Sequence, residues 1–92
     1  MSEELKMHFL KIFNEGGRKK AYEDEKELKF IQEFIKSKLS LISLREQEIL
    51  SLRFGLKNDI ILSYEEIGKM FNFKRDRIWS IEARALRKLR DL

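Results

Sequence analysis

The 92-residue sequence contains no cysteine and no proline, and it has only four glycines and one histidine. Without cysteine the chain can form neither a disulfide bond nor a thiolate metal site, and His8 alone cannot hold a metal ion. The lack of proline and the scarcity of glycine argue against a long flexible linker and favour helices. One small domain with a modest core is therefore expected.

Long apolar runs and catalytic groupings are missing as well. No apolar stretch approaches the roughly 20 residues of a membrane-spanning helix, and the first residues lack a basic leader with a small-residue cleavage site. We therefore expect a soluble, cytoplasmic protein with no membrane partner. The sequence has no paired histidine and carboxylate, no nucleophile with a base and no glycine-rich phosphate loop, so it predicts no enzyme, no cofactor and no metal site.

Positive charge is concentrated near the C-terminus. The net charge is +4, and residues 74–90 hold seven basic and two acidic residues, whereas residues 41–62 hold three of each. Such clustering is the electrostatic footprint of a nucleic-acid contact, although a basic, solvated helix face has the same composition. The charge pattern alone leaves both interpretations open.

Apolar residues recur at helical spacing in five segments, and no segment shows the alternation of a strand. The predicted helices cover about residues 3–14, 24–39, 43–54, 63–71 and 75–90. Ser43 and Ser63 each precede a glutamate by three residues, which is the pattern of a capping box at a helix start. Gly55 stands where a left-handed residue would end the third helix.

The last two helices have the pattern of a helix-turn-helix. The apolar positions that can face one core are Ile67, Phe71, Phe73, Ile78 and Ile81. Gly68 permits a close helix crossing, and Asn72 tolerates a positive φ at the turn. The predicted fold is therefore all-α, a small domain of about five helices with N-terminal helices in residues 1–40 and the helix-turn-helix domain in residues 41–92.

Two stretches carry a resemblance to a known family. The segments SLREQEILSLRFGL and SYEEIGKMFNFKRDRIWSIEARALRKLR resemble region 4, the C-terminal promoter-recognition domain of housekeeping-type bacterial sigma factors of the sigma-seventy family. The resemblance covers residues 41–92 and extends to the helix of 27–39. It implies that the helix-turn-helix reads the minus-35 promoter element and that other helices hold the flap of the RNA polymerase beta subunit. A second sigma-like subunit or an activator is a further implied partner.

The resemblance also suggests roles on the last helix, whose residues Arg75, Asp76, Trp79 and Ser80 lie away from Ile78 and Ile81. Arg75 matches the arginine that contacts guanine, and Asp76 replaces the usual glutamate, which accepts from a cytosine amino group. Trp79 and Ser80 stand where the family has arginine and glutamine. These replacements allow three interpretations. Promoter preference is altered, with Trp79 packing on a thymine methyl group, or recognition of bases has been lost. In the third, Trp79 covers a neighbouring helix and contacts no partner.

The remaining candidate contacts divide into three groups. Lys74 and Arg77 are expected to meet phosphate oxygens, and Tyr64 and Glu65 to place the amides of their helix against the DNA backbone. Contacts with phosphate or with an activator are expected from Arg84, Arg87, Lys88 and Arg90. Flap contacts are expected from Leu41, Ile42, Phe54 and Leu56.

The leading hypothesis is a transcription initiation module that binds the polymerase flap and recognises a minus-35-like element. No domain that melts a minus-10 element is recognised, so the chain alone is not expected to open a promoter. Three origins remain possible: a domain of a larger protein, half of a two-part sigma factor, and a phage or accessory factor. The alternative is a flap-binding coactivator or sigma competitor with little base reading. A DNA-binding repressor is a third option, with residues 3–14 as its dimer surface.

Overall fold

A computed structural model describes residues 25–91, which form four α-helices and one 3-10 turn with no strand among them. The elements are α1 (Glu25–Lys38), the 3-10 turn (Leu39–Leu41), α2 (Leu44–Phe54), α3 (Tyr64–Phe71) and α4 (Arg75–Asp91). The all-α fold class is confirmed, as are the four helices predicted in this range. The helix predicted for 3–14 lies outside the described residues. No described helix is both long enough and apolar enough to cross a membrane.

Two capping boxes start α2 and α3, as the sequence predicts. At α2, the Ser43 hydroxyl accepts from the Glu46 amide at 3.2 Å, and the Glu46 carboxylate accepts from the Ser43 amide at 3.0 Å. At α3, both reciprocal bonds between Ser63 and Glu66 measure 3.1 Å. Each serine cap satisfies amides that lack helical partners and contributes about 1 kcal/mol to helix stability.

Left-handed residues end the same two helices. Gly55 follows α2 with φ 63°, and Asn72 follows α3 with φ 58°. Gly68 allows the chain to turn back sharply, because a Cβ at this position would lie only 2.5 Å from the carbonyl oxygen of Phe73. The Phe73 amide donates to the Gly68 carbonyl at 2.8 Å, which closes the turn between α3 and α4.

The core consists of two clusters that share α4. The first cluster packs α1 against α2 and α4, and its buried residues are Ile31, Ile35, Ile42, Leu50, Phe54, Leu56, Ala85, Leu86 and Leu89. The second lies beneath the helix-turn-helix and contains Ile49, Tyr64, Ile67 and Ile78. The C-terminal half of α4 is thus anchored in the first cluster and its N-terminal half in the second, which fixes the helix-turn-helix on the rest of the domain.

Gln32 attaches α1 to the end of α2. Its side-chain amide donates to the Phe54 carbonyl at 2.7 Å and lies within 3.5 Å of an Asp59 carboxylate oxygen. Phe54 is fully buried, so without Gln32 its carbonyl would lack a partner and have no access to water. The contact therefore provides a partner for one of the carbonyls that a helix end leaves unpaired.

Candidate nucleic-acid interface

The N-terminal end of α4 presents a charged surface to solvent. Ile78 is fully buried and Ile81 is half-buried in the second cluster, so the buried stripe has the predicted orientation. The exposed residues at this end of the helix and in the preceding turn are Lys74, Arg75, Asp76, Arg77 and Ser80. The structure thus leaves five of the predicted DNA-contacting residues accessible around the start of this helix.

Arg75 pairs with Glu65 across the helix-turn-helix. The Nη1 of Arg75 donates to Oε1 of Glu65 at 3.1 Å, and its Nε lies 3.8 Å from a carboxylate oxygen of Asp76. The side chains of Arg75 and Glu65 are 60% and 57% exposed. A hydrogen bond from its own backbone amide, together with the bond from Arg75, lowers the pKa of Glu65, so the carboxylate is charged at neutral pH. The starts of α3 and α4 are therefore joined by an exposed ion pair.

Arg77 rests on an aromatic pair beside the turn. The rings of Phe71 and Phe73 are stacked with centroids 6.2 Å apart, and the guanidinium carbon of Arg77 lies 4.0 Å from the Phe73 centroid. Arg45 approaches the same pair from α2, 5.2 Å from each centroid. Sequence reasoning passed over Arg45, because only the packing of α2 against the turn brings it to this surface. Two exposed arginines therefore flank the turn on a fixed aromatic base.

The two departures from the sigma-seventy pattern, Trp79 and Ser80, each make a contact within the domain. Trp79 is half-buried and packs against the second cluster, as expected if it covers neighbouring helices. The hydroxyl of Ser80 donates to the Asp76 carbonyl one turn earlier at 2.9 Å. Its only proton is therefore bound within α4.

The side chain of Tyr64 belongs to the core, so the contact predicted through the amides of its helix stays a prediction. Its hydroxyl donates to Oε1 of Glu82 at 2.8 Å, while Nε of Arg53 donates to Oε2 of the same carboxylate at 3.2 Å. The guanidinium carbon of Arg53 lies 4.2 Å from the Tyr64 ring centroid. Burial raises the pKa of Glu82 to about 7, against the opposing charge of Arg53. Tyr64 thus fixes α3 on α4 through its hydroxyl.

The basic residues further along α4 are not equivalent. Arg84 and Arg87 are exposed. Lys88 donates to the carboxylate of Glu46 at 2.9 Å, which ties it to the capping box of α2. Arg90 is paired with its neighbour Asp91 at 3.0 Å. The predicted basic surface therefore includes one lysine that also links α4 to α2.

The apolar residues predicted to contact a partner also need correction. Phe54 is fully buried, and Leu56 and Ile42 are each 7% exposed, because α1 covers the end of α2. Their side chains form core and offer no contact surface. Leu41 is 57% exposed, and the adjacent Leu44, which sequence reasoning passed over, is 77% exposed. A leucine directly after a capping serine faces outward here because the opposite side of α2 is the packed one.

Residues 39–91 match the family model described as Sigma-70, region 4. The chain belongs to this sigma-70 region 4 family. It is 47% identical over 68 residues to RNA polymerase sigma factor SigA1 of Synechococcus elongatus, which covers 74% of this chain and 17% of that protein. It is 43% identical over 67 residues to SigA of Clostridium acetobutylicum, covering 73% of this chain and 18% of the relative.

This region 4 chain thus spans less than a fifth of the length of the relatives it matches. The same proportion holds for SigA of Microcystis aeruginosa, which is 46% identical over 68 residues, or 74% of this chain and 16% of that protein. No solved structure matches the chain. Within residues 25–91 no group of three histidine, cysteine or acidic side chains is arranged to hold a metal ion.

Proposed function

We propose that this region 4 chain is a transcription initiation module that recognises a minus-35-type promoter element and binds the flap of the RNA polymerase beta subunit. The observation that carries the proposal is the exposure of Arg75 at the start of α4 above the buried Ile78. A recognition helix enters the major groove with its N-terminal residues nearest the base edges. The relatives, which are RNA polymerase sigma factors by name, support the same function.

Base reading is concentrated at the first turn of α4. The guanidinium of Arg75 has five N–H donors in a fixed fork, and two of them fit O6 and N7 of guanine. The side chain of Asp76 is 88% exposed and can accept from a cytosine amino group. Trp79, which is half-buried, and Ser80, whose hydroxyl is bonded within α4, contribute little to base discrimination.

Contacts with phosphate surround this reading site. Arg77 and Arg45 lie on the Phe71–Phe73 pair, so part of their side-chain freedom is lost before DNA arrives. Lys74 in the turn is exposed, and the start of α3 offers the positive end of a helix dipole. These groups orient the domain on the duplex and carry no sequence information of their own.

The flap contact is assigned to the exposed leucines at the junction of the 3-10 turn and α2. Leu41 and Leu44 are large apolar side chains in solvent at 57% and 77% exposure. Burial of an apolar side chain contributes about 1.5–3 kcal/mol, so each leucine would add measurably to the affinity of such an interface. Arg84 and Arg87 lie exposed on α4 as candidate contacts for an activator.

A flap-binding module with weak base reading is the second candidate function. It is favoured by the internal bond of Ser80 and the core packing of Trp79, which remove two reading positions. The two candidates differ in their response to the Arg75→Ala variant. The leading function requires that this change reduce binding to a minus-35 duplex more than to a scrambled duplex, while flap binding is unchanged.

The test is a salt titration of binding to both duplexes, because each phosphate contact adds about 0.9 to the logarithmic salt slope. Equal affinity for the two duplexes at every salt concentration, in wild type and in Arg75→Ala, would exclude sequence-specific recognition. The corresponding experiment for the flap measures flap binding by the Leu44→Ser variant. Because the side chain of Leu44 is exposed, this change should not prevent folding. Undiminished flap binding in Leu44→Ser would reject that contact.

A further inference from the structure

The contact between Glu65 and Arg75 joins the first turn of α3 to the first turn of α4. We propose that Glu65 is a positioning residue, which holds the guanidinium of Arg75 toward the base edges and so sets how strongly guanine is preferred. The inference rests on the proposed minus-35 recognition and deepens it. In this role Glu65 acts through Arg75 and makes no base contact of its own.

The geometry fixes the backbone from which the side chain of Glu65 reaches Arg75. Glu65 lies in the first turn of α3, whose start is fixed by the capping box of Ser63 and Glu66. The close approach of Gly68 to Phe73 then fixes α3 relative to α4. The acceptor of the 3.1 Å bond from Arg75 is therefore carried by a helical turn whose backbone position is fixed relative to α4.

The pair leaves enough donors for a base. Arg75 has five N–H groups, and its contact with Glu65 occupies a donor on Nη1. Recognition of guanine O6 and N7 needs two of the four that remain. Glu65 can thus stay bound while Arg75 reads a base, and the arginine gives up less rotamer freedom on binding because one orientation is already favoured.

The same carboxylate has a second, opposite effect on binding. It carries a negative charge at the edge of a surface that approaches phosphates, and like charges repel. Sequence-independent affinity is therefore lowered by Glu65, whereas discrimination is raised through Arg75. A residue that served only the stability of α3 would change neither quantity, provided the domain stayed folded.

The experiment measures two quantities for each variant at fixed salt. The first is discrimination, the ratio of affinities for a minus-35 duplex and for the same duplex with the guanine contacted by Arg75 replaced by adenine. That guanine is the position at which Arg75→Ala relaxes the preference in a scan of all base pairs. The second is affinity for a scrambled duplex. Circular dichroism melting curves verify that each variant is folded.

Two variants separate the effect of the Glu65 charge from the effect of its side-chain length. Glu65→Ala should lower discrimination about fivefold, a part of the roughly five- to hundredfold that a bidentate contact supplies, and should raise scrambled-duplex affinity about twofold. Glu65→Asp keeps the charge and the helix-start position but is one methylene shorter. It should lower discrimination similarly and leave scrambled-duplex affinity unchanged. The control, Glu33→Ala, removes one charge from an exposed position on α1 and should alter neither quantity.

Distinct outcomes separate this proposal from the function on which it rests. If Arg75→Ala abolishes discrimination while both Glu65 variants keep it, Glu65 is not a positioning residue and minus-35 recognition stands. If Glu65→Asp restores full discrimination, Glu65 acts only as a charge at the helix start and the proposal is overturned. If Arg75→Ala itself leaves discrimination unchanged, base reading by α4 fails and the positioning role fails with it.

Discussion

Arg53 and Glu82 form an ion pair in the interior, with Nε and Oε2 separated by 3.2 Å and side chains 8% and 1% exposed. The pair joins α2 to α4, and the hydroxyl of Tyr64 adds α3 through the other carboxylate oxygen. Burial of two charges costs several kcal/mol, which good geometry roughly offsets. The network therefore specifies how the three helices meet, and with them the orientation of the helix-turn-helix, more than it adds net stability.

The pKa of Glu82 predicts an unusual pH dependence of stability. Burial raises this pKa to about 7 in the folded state, from 4.5 for an ordinary glutamate. Between these values the folded protein retains a proton that the unfolded chain releases, so the free energy of unfolding falls as pH rises, by up to about 3 kcal/mol. Urea denaturation at pH 5, 6, 7 and 8 measures this dependence.

Glu82→Gln is the matched control for that measurement. The amide does not titrate, whereas His8 and the other carboxyls are retained, so the difference between wild type and variant isolates Glu82. The variant should lose the decline between pH 5 and 7. An identical pH profile in both proteins would show that the pKa of Glu82 is not raised.

Tyr64→Phe tests the third member of the network. The change removes the 2.8 Å bond to Oε1 and leaves a buried carboxylate oxygen without its donor, which should destabilise the domain by about 1.5–3 kcal/mol at pH 8. Because the bond requires both partners, a double-mutant cycle with Glu82→Leu, which removes the accepting oxygen, should give a coupling energy of about 1 kcal/mol. Strictly additive effects in the cycle would contradict a direct interaction.

Gly68→Ala tests the close contact in the turn. In an exposed helix interior this change would stabilise by up to about 1 kcal/mol. Here the added Cβ would lie 2.5 Å from the Phe73 carbonyl oxygen, so overpacking should reverse the sign and cost about 1–3 kcal/mol in urea denaturation. Asn72→Gly is the control, because φ 58° suits glycine and the change should be neutral or slightly stabilising. A stabilised Gly68→Ala protein would show that the turn can relax without cost.

The helix ends that were predicted correctly from the sequence depend on residues close to one another along the chain. Ser43 with Glu46, Gly55 and Asn72 each determine a helix end through their own backbone conformation or short hydrogen bonds. Phe54 was assigned wrongly for the opposite reason: whether a residue at a helix end is buried depends on α1, which is far away in sequence.

The interactions between helices could not be predicted for the same reason. The contacts of Tyr64 with Glu82 and of Lys88 with Glu46 join residues 18 and 42 positions apart, and helical periodicity contains no signal for either. At the candidate site, exposure of Arg75 followed from the buried stripe beneath it, whereas its contact with Glu65 depends on how tightly the turn brings α3 to α4.

Substitutions at Ser80 test base recognition by adding a base contact as well as by removing a side chain. Its hydroxyl proton is bound to the Asp76 carbonyl, so Ser80→Ala should leave the base preference of α4 unchanged and the helix as stable or slightly more stable. Ser80→Gln introduces a side chain that can bond adenine N6 and N7 from an exposed position, and should add a preference of about fivefold at one base pair. Binding to a minus-35 duplex library, with each base pair varied in turn, measures both variants. If neither variant alters the library profile while Arg75→Ala does, base recognition by α4 is limited to its first turn. If Ser80→Ala weakens the preference at a base pair, the hydroxyl already contributes to recognition, and base reading is not confined to Arg75 and Asp76.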